Sequence, residues 1–215
     1  MEQDFTQARH LMVEHQIRAR GVSNERVLAA MREVPRHLFV PDDLRNAAYG
    51  DHPLPIGEGQ TISQPYIVAV MTELLSPEPD DLILEIGTGS GYQAALLGRI
   101  VREVWSVERI ASVAAQAERN LESAGATNVR VVVGDGTLGL AEHAPYDGII
   151  VTAAAPSIPE PLFDQLADGG ILVAPVGSRH LQDLVCCTRR GDTVVQRSWG
   201  GVVFVPLVGA HGWEE

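Results

Sequence analysis

The chain has 215 residues, enough for one core of ordinary size, and its 45% apolar content is that of a globular protein. Its 16 basic and 28 acidic side chains leave a formal charge of −12, which argues against a duplex or RNA partner, because phosphate contacts need clustered Lys and Arg. No run approaches the roughly eighteen apolar residues of a membrane span, and Met1-Glu2-Gln3-Asp4 lacks the charged-then-apolar pattern of a secretion signal, so a cytoplasmic protein without a membrane partner is expected. Cys186 and Cys187 are adjacent and would point to opposite faces of a strand, which excludes a disulfide between them. The seven histidines are scattered without ligand spacing, and no metal is expected.

Residues 6–20 carry Leu11, Met12, Ile17 and Ala19 among charged positions, the pattern of an amphipathic helix, with Asp4 and Gln7 as a cap and Gly21 as its end. A second helix is expected over 24–34, with Val27, Leu28 and Met31 on one face, Ser23 as N-cap and Pro35 as the stop. These helices either cover the site or pack on a sheet edge. Residues 51–65 hold prolines and glycines without periodicity and read as an ordered loop outside the sheet, leading into a helix over 66–75. Ser63, just before Gln64-Pro65, suits a helix cap.

Leu82-Ile83-Leu84-Glu85-Ile86 then reads as a buried strand that breaks into Gly87-Thr88-Gly89-Ser90-Gly91-Tyr92, with helical spacing resuming from Gln93. A glycine-rich strand-to-helix turn lets backbone come close to a bound nucleotide beside free helix N–H groups. The dinucleotide fingerprint would need a glycine where Tyr92 stands, so NAD is disfavoured. Glu85 would repel a pyrophosphate but suits a cofactor carrying an ammonium or sulfonium group, and S-adenosylmethionine fits. Glu108, at the end of Val104-Trp105-Ser106-Val107 and roughly 20 residues beyond the turn, is placed to accept hydrogen bonds from ribose hydroxyls. A third strand, 129–133, runs into Gly134-Asp135-Gly136, where Asp135 can meet an adenine amino group or act as a turn residue.

Further strands are expected at 146–152 and 171–177, with a helix over 159–166 between them, and the alternation from 82 to 176 predicts a doubly wound parallel α/β sheet. Three short strands, 184–188, 193–198 and 202–205, then give the sheet an antiparallel C-terminal end. The small residues Ala153-Ala154-Ala155 after the fourth strand leave space near the site.

With the flanking segments, the sequence closely resembles the protein-L-isoaspartate O-methyltransferases over nearly its whole length. The residues carrying the likeness are Val34-Pro35-Arg36 with Phe39-Val40, the stretch Leu54 to Tyr66, the glycine turn, Ser106-Val107-Glu108-Arg109, Gly134-Asp135-Gly136 and Phe204-Val205-Pro206-Leu207. Thr61-Ile62-Ser63-Gln64-Pro65 is the specific part, since a glycine turn with an acidic partner belongs to many methyltransferases. The resemblance implies a Rossmann-like methyltransferase domain over 1–215, with N-terminal helices and a substrate and cofactor loop in 1–80 and the core in 81–215. It implies methylation of isoaspartyl-containing proteins and peptides by S-adenosylmethionine, leaving S-adenosylhomocysteine, in a monomer. Ser63 is then the residue on the acceptor carboxylate. Ile62, Glu85, Gly87, Thr88, Gly89, Gly91, Glu108, Asp135 and Gly136 are expected around the cofactor, and Ile56, Gly57, Gln60 and Thr61 on the client peptide. An acidic acceptor is already ionised at neutral pH, so no catalytic base is expected.

Overall fold

The structure, a computed structural model, describes residues 5–214. The first helical segment is less regular than its periodicity suggests: α1 (Phe5–Met12) passes through a π turn at Val13–Ile17 and a 3-10 turn at Arg18–Arg20. It ends at Gly21, whose φ of 99° is the left-handed conformation expected of a glycine stop. The suggested cap Asp4 lies outside the described residues. α2 (Glu25–Glu33) is capped by Asn24 and not by Ser23, because the Asn24 side chain accepts from the N–H groups of Arg26 and Val27. The backbone N–H groups of Ser23 and Asn24 instead both meet Glu73 Oε1, at 2.7 Å.

The loop expected over 51–65 is in large part a hairpin. β1 (Leu54–Gly57) and β2 (Gln60–Ile62) pair antiparallel in a two-stranded sheet of their own, around a turn in which Gly57, Glu58 and Gly59 all have positive φ. α3 (Pro65–Leu75) follows, with proline at its first position, where the missing N–H costs no intrahelical bond.

The main sheet then builds from β3 (Leu82–Ile86), α4 (Tyr92–Gly98), β4 (Glu103–Glu108), α5 (Ala111–Ser123), β5 (Val129–Val133), β6 (Tyr146–Val151), α6 (Glu160–Asp164), β7 (Leu166–Gly177), β8 (Gln182–Arg190) and β9 (Thr193–Val202). The strand order is β5-β4-β3-β6-β7-β8-β9, parallel from β5 to β7 and antiparallel from β7 to β9. The chain reverses direction of winding beside β3, and in such a sheet ligands bind at the carboxyl ends of the strands flanking that point. Two details differ from expectation. β7 starts at Leu166, its pairing with β6 shifting register around Asp168-Gly169-Gly170. No separate strand forms over 202–205: β9 runs through Gly200 and Gly201, and Val205 instead accepts the Ala154 N–H outside the ladder, at 2.8 Å.

Alternate residues of the strands enter two cores. Ile83, Ile150, Val173 and Leu184 pack with α1 to α4 on one face, while Leu84, Ile149, Leu172 and Val185 pack with α6 and Leu207 on the other. The N-terminal helices lie against α3 and α4 and not on a sheet edge. Cys187 is buried and Cys186 half-buried, and both are free thiols.

Candidate active site

The carboxyl ends of β3, β4 and β6 open onto a cavity of about 430 Å³, within the range of small-molecule sites. Its floor is the glycine turn. Gly87 has φ of 95°, and a Cβ there would stand 2.6 Å from Thr152 Oγ1. That hydroxyl is already committed, donating to the carbonyls of Gly87 at 2.5 Å and Ile86 at 3.0 Å. A side chain at Gly87 would therefore both strain the backbone and break the tie between β3 and β6.

Two carboxylates stand over this floor in different surroundings. Glu108, nearly buried, is held by two backbone donors: Gly89 N to Oε2 and Ile110 N to Oε1, each at 3.0 Å. Each oxygen keeps a further lone pair, and the group lines the cavity, so it can accept from a diol while remaining fixed by the turn it serves. Glu85 is fully buried, and burial pushes its carboxyl up to about 8, against a lowering bond from Ser106 and with the Glu108 charge adding to the rise. Its Oε2 accepts from Ser106 Oγ, which in turn lies 2.6 Å from Thr88 Oγ1. Its Oε1 has no partner among the described residues. A buried, orphaned carboxylate oxygen in a ligand-sized cavity fits a cofactor that brings a cation or an N–H donor, and burial without one is costly.

The acceptor side is built by the hairpin. Gln60, Thr61, Ile62 and Ser63 line the cavity, and the Ile56 side chain reaches over the glycine turn, 3.8 Å from where a Cβ on Gly89 would stand. Ser63 does not cap α3: the N-cap is Gln64, with no side-chain bond. The Ser63 hydroxyl makes no hydrogen bond to a described residue, and its carbonyl accepts from Arg36 Nη2 at 2.8 Å.

The structure thus gathers Gln60, Thr61, Ile62, Ser63, Glu85, Gly87, Thr88, Gly89, Glu108 and Gly136 around one space. Ile56 and Gly57 face a second hollow of about 460 Å³ between the hairpin and α5, which meets the first only at Gly89 and Ser90. Gly91 is the N-cap of α4 and packs toward Leu121 and Ala117, so it serves the turn from behind. Asp135 does not line the cavity. Its Oδ1 accepts from Thr137 N at 2.9 Å and Thr137 Oγ1 at 2.7 Å, and its Oδ2 from Ala210 N at 2.8 Å. Burial works to raise this carboxyl, but the bonds from Ala210 and Thr137 outweigh it and hold the group below the usual carboxylate range.

The partner of Asp135 is the C-terminal tail, to which no local sequence pattern assigns a place. Residues 207–214 fold back along the sheet: Trp213 N donates to Leu207 O at 2.7 Å, and the Trp213 indole donates to Ala154 O at 3.0 Å. Arg179 donates to Glu214 O at 2.8 Å and lies 5.0 Å from the Trp213 ring centre. Arg179, Glu214 and residues 204–208 line the cavity, yet none carried a site role in the sequence analysis. Phe204-Val205-Pro206-Leu207 was visible as a family motif; Arg179 had no local signal. Ala153, in the small-residue run, lines the cavity as its size suggested.

A parallel-to-antiparallel sheet of this order, with a glycine turn, a strand-end carboxylate tied to that turn and a buried carboxylate with an unpartnered oxygen, fits an S-adenosylmethionine-dependent methyltransferase. Comparison with known proteins narrows the class. The family model for protein-L-isoaspartate(D-aspartate) O-methyltransferase (PCMT) matches residues 7–212. A protein-L-isoaspartate O-methyltransferase from Methanoculleus marisnigri is 62% identical over 206 residues, covering 96% of this chain and 94% of that one. A solved protein-L-isoaspartate O-methyltransferase superposes with a TM-score of 0.85 at 31% identity, over 96% of this chain and 67% of the other. At 23% identity, a Plasmodium falciparum structure in complex with S-adenosyl-L-homocysteine shares the fold, with a TM-score of 0.81 over 93% of this chain and 98% of that one. The chain belongs to the protein-L-isoaspartate(D-aspartate) O-methyltransferase family.

Proposed function

We propose that the chain is a repair methyltransferase for the free α-carboxylate of L-isoaspartyl residues in damaged proteins and peptides, working as a single-domain monomer in the cytoplasm without nucleic-acid or membrane partners. The observation that carries the assignment of roles is the meeting, in one cavity, of an uncommitted Ser63 hydroxyl with the two strand-end glutamates. S-adenosylmethionine, when bound, supplies a methyl group on a sulfonium, an electrophile needing no further activation.

The chain's own residues then have three tasks. Glu108 holds the ribose hydroxyls, and the open Oε1 of Glu85 receives the cationic end. The glycine turn and its neighbours Ile62, Thr88 and Gly136 shape the pocket, with Gly91 behind it and Asp135 fixing the adjoining turn. Ser63 donates one hydrogen bond to the acceptor carboxylate, which is ionised at neutral pH because its pKa is near or below about 4. No base is required. Each hairpin strand has a single ladder partner, so the backbone from Ile56 and Gly57 to Gln60 and Thr61 has an edge open to an extended client, whose flanking residues it can grip irrespective of side chain.

Selectivity follows from reach. Isoaspartyl and aspartyl carboxylates are equally anionic at pH 7, but the isoaspartyl α-carboxylate sits on a shorter arm, and a displacement of about 1 Å costs around a hundredfold in rate. The product is a methyl ester. Attack by the neighbouring backbone nitrogen on the ester carbonyl expels methanol and closes a succinimide without help from the chain. Transfer of labelled methyl to an isoaspartyl peptide and to its aspartyl twin tests the reading: strong preference for the isoaspartyl peptide and base-labile label are expected. Equal labelling, or label on a base-stable nitrogen, would leave a methyltransferase with another acceptor.

A further inference from the structure

Arg36 is fully buried, yet no carboxylate among the described residues pairs with it. Its Nε donates to Ala48 O and its Nη2 to Ser63 O, both at 2.8 Å, while Nη1 has no partner among the described residues. The guanidinium lies 4.9 Å from the ring centre of Tyr92, the first residue of α4 after the glycine turn. Burial draws its pKa down only to about 10, so it remains a cation at neutral pH.

A buried charge satisfied only by carbonyls and a ring is an expensive way to fill space, since an apolar side chain of similar volume would avoid the desolvation cost. What an apolar side chain cannot do is fix a peptide plane. Arg36 reaches a residue 27 positions away in sequence, and that residue lines the cavity with a hydroxyl that has no partner among the described residues. The same guanidinium rests on the helix that begins where the cofactor turn ends. We infer that Arg36 is a positioning residue for the methyl transfer, setting the Ser63 hydroxyl relative to the cofactor turn by holding the Ser63 carbonyl against the start of α4. This rests on the role proposed for Ser63 and assigns the device that makes that role effective. The planar fork matters: two donors diverge from one rigid group, which a lysine ammonium on a flexible stem does not reproduce.

The test is a double-mutant cycle on kcat, with rates expressed per folded molecule from far-UV dichroism and thermal melting. Arg36→Lys should lower kcat on a saturating isoaspartyl peptide by about 10- to 100-fold, as expected for misplacement by about 1 Å, with affinity for S-adenosylhomocysteine kept within about threefold. In the Ser63→Ala background the same change should lower kcat by less than about threefold, because the group it positions is gone. If the Arg36→Lys loss persists in full in that background, or if cofactor affinity falls in step with kcat, Arg36 is a structural residue and the inference fails. An inert Ser63→Ala change would instead remove the role proposed for Ser63 itself, so the two failures are distinguishable. Should Arg36→Lys not fold, Arg36→Gln, which keeps an N–H donor toward Ser63, takes its place in the same cycle.

Discussion

The two sides of the cavity are held in place by different means. On the cofactor side, Glu108 is clamped by two backbone N–H groups and Glu85 by a Ser106 and Thr88 relay, on the parallel strands β3 and β4 and the turns that follow them. On the acceptor side, a two-stranded hairpin forms a sheet of its own, anchored in the core by Leu54 and Ile62, with polar ties from Arg36 to Ser63, from Gln64 to Asp51 and from Ser112 of α5 to Glu58. In the proposed reading the cofactor, the same in every turnover, meets groups preset by the sheet, and the client, which differs from one damaged protein to the next, meets a backbone edge and one hydroxyl. Substitutions on the two sides should accordingly separate in what they damage.

The largest effect is expected from Glu108→Ala, which removes the proposed ribose acceptor and the anchor of Gly89 together. Losing hydrogen bonds to a charged acceptor costs about 1.5–3 kcal/mol, so S-adenosylhomocysteine affinity should fall roughly 10- to 150-fold by calorimetry. Unchanged affinity would take Glu108 out of the cofactor side. Ser63→Ala should produce a loss of similar or smaller size, up to about 3 kcal/mol, but in kcat/KM and with cofactor affinity nearly intact. A parallel loss of cofactor affinity in this variant would erase the division between the two sides.

Glu85 sharpens the comparison through pH. Burial pushes its carboxyl from an ordinary 4.5 up to about 8. Between those two values the folded state holds a proton that the unfolded chain has released, so this residue's contribution to stability declines as pH rises through the window. A cationic cofactor group beside it favours the carboxylate. Binding near pH 7 should therefore release up to about one proton, and affinity should rise by up to about tenfold per pH unit before levelling near pH 8. Calorimetry in buffers of contrasting ionisation enthalpy measures the proton; no buffer dependence would place the cation elsewhere.

The smallest effect is expected from Asp135→Asn. The amide oxygen can still serve Thr137, but an N–H₂ group would face the Ala210 N–H in place of an acceptor, releasing the tail from the turn. Cofactor affinity should drop by roughly two- to tenfold, with faster amide exchange over residues 209–214. Slow exchange there together with normal affinity would make Asp135 a turn residue alone.

The cofactor side was largely legible in the sequence, because its parts are local signals: apolar runs of strand length, glycines at the break, and acidic residues at strand ends. The acceptor side was not. Pro53, Pro55 and the turn at Gly57-Glu58-Gly59 hide the period-two pattern, so a hairpin reads as a loop. Ser23 and Asn24 are both good caps, and which one serves depends on Glu73, about fifty residues away, holding both N–H groups. The bonds from Arg36 to the Ser63 carbonyl and from the Ala210 N–H to Asp135 join segments 27 and 75 positions apart and leave no periodic trace. What no local pattern could supply was which uncharged hydroxyl would be left without a partner among the described residues; the N-cap of α3 is Gln64 and not Ser63.

The tail also gives the protein a spectroscopic handle. Of its three tryptophans, Trp105 is stacked on His143 and Trp199 lies 6.4 Å from Tyr66, and neither lines the cavity. Trp213 has its indole N–H bonded to Ala154, next to the cavity-lining Ala153, and its ring beside the guanidinium of Arg179, which lines the cavity. Emission from this indole, isolated by replacing the other two with phenylalanine, would follow filling of the cavity in real time, without label and without turnover.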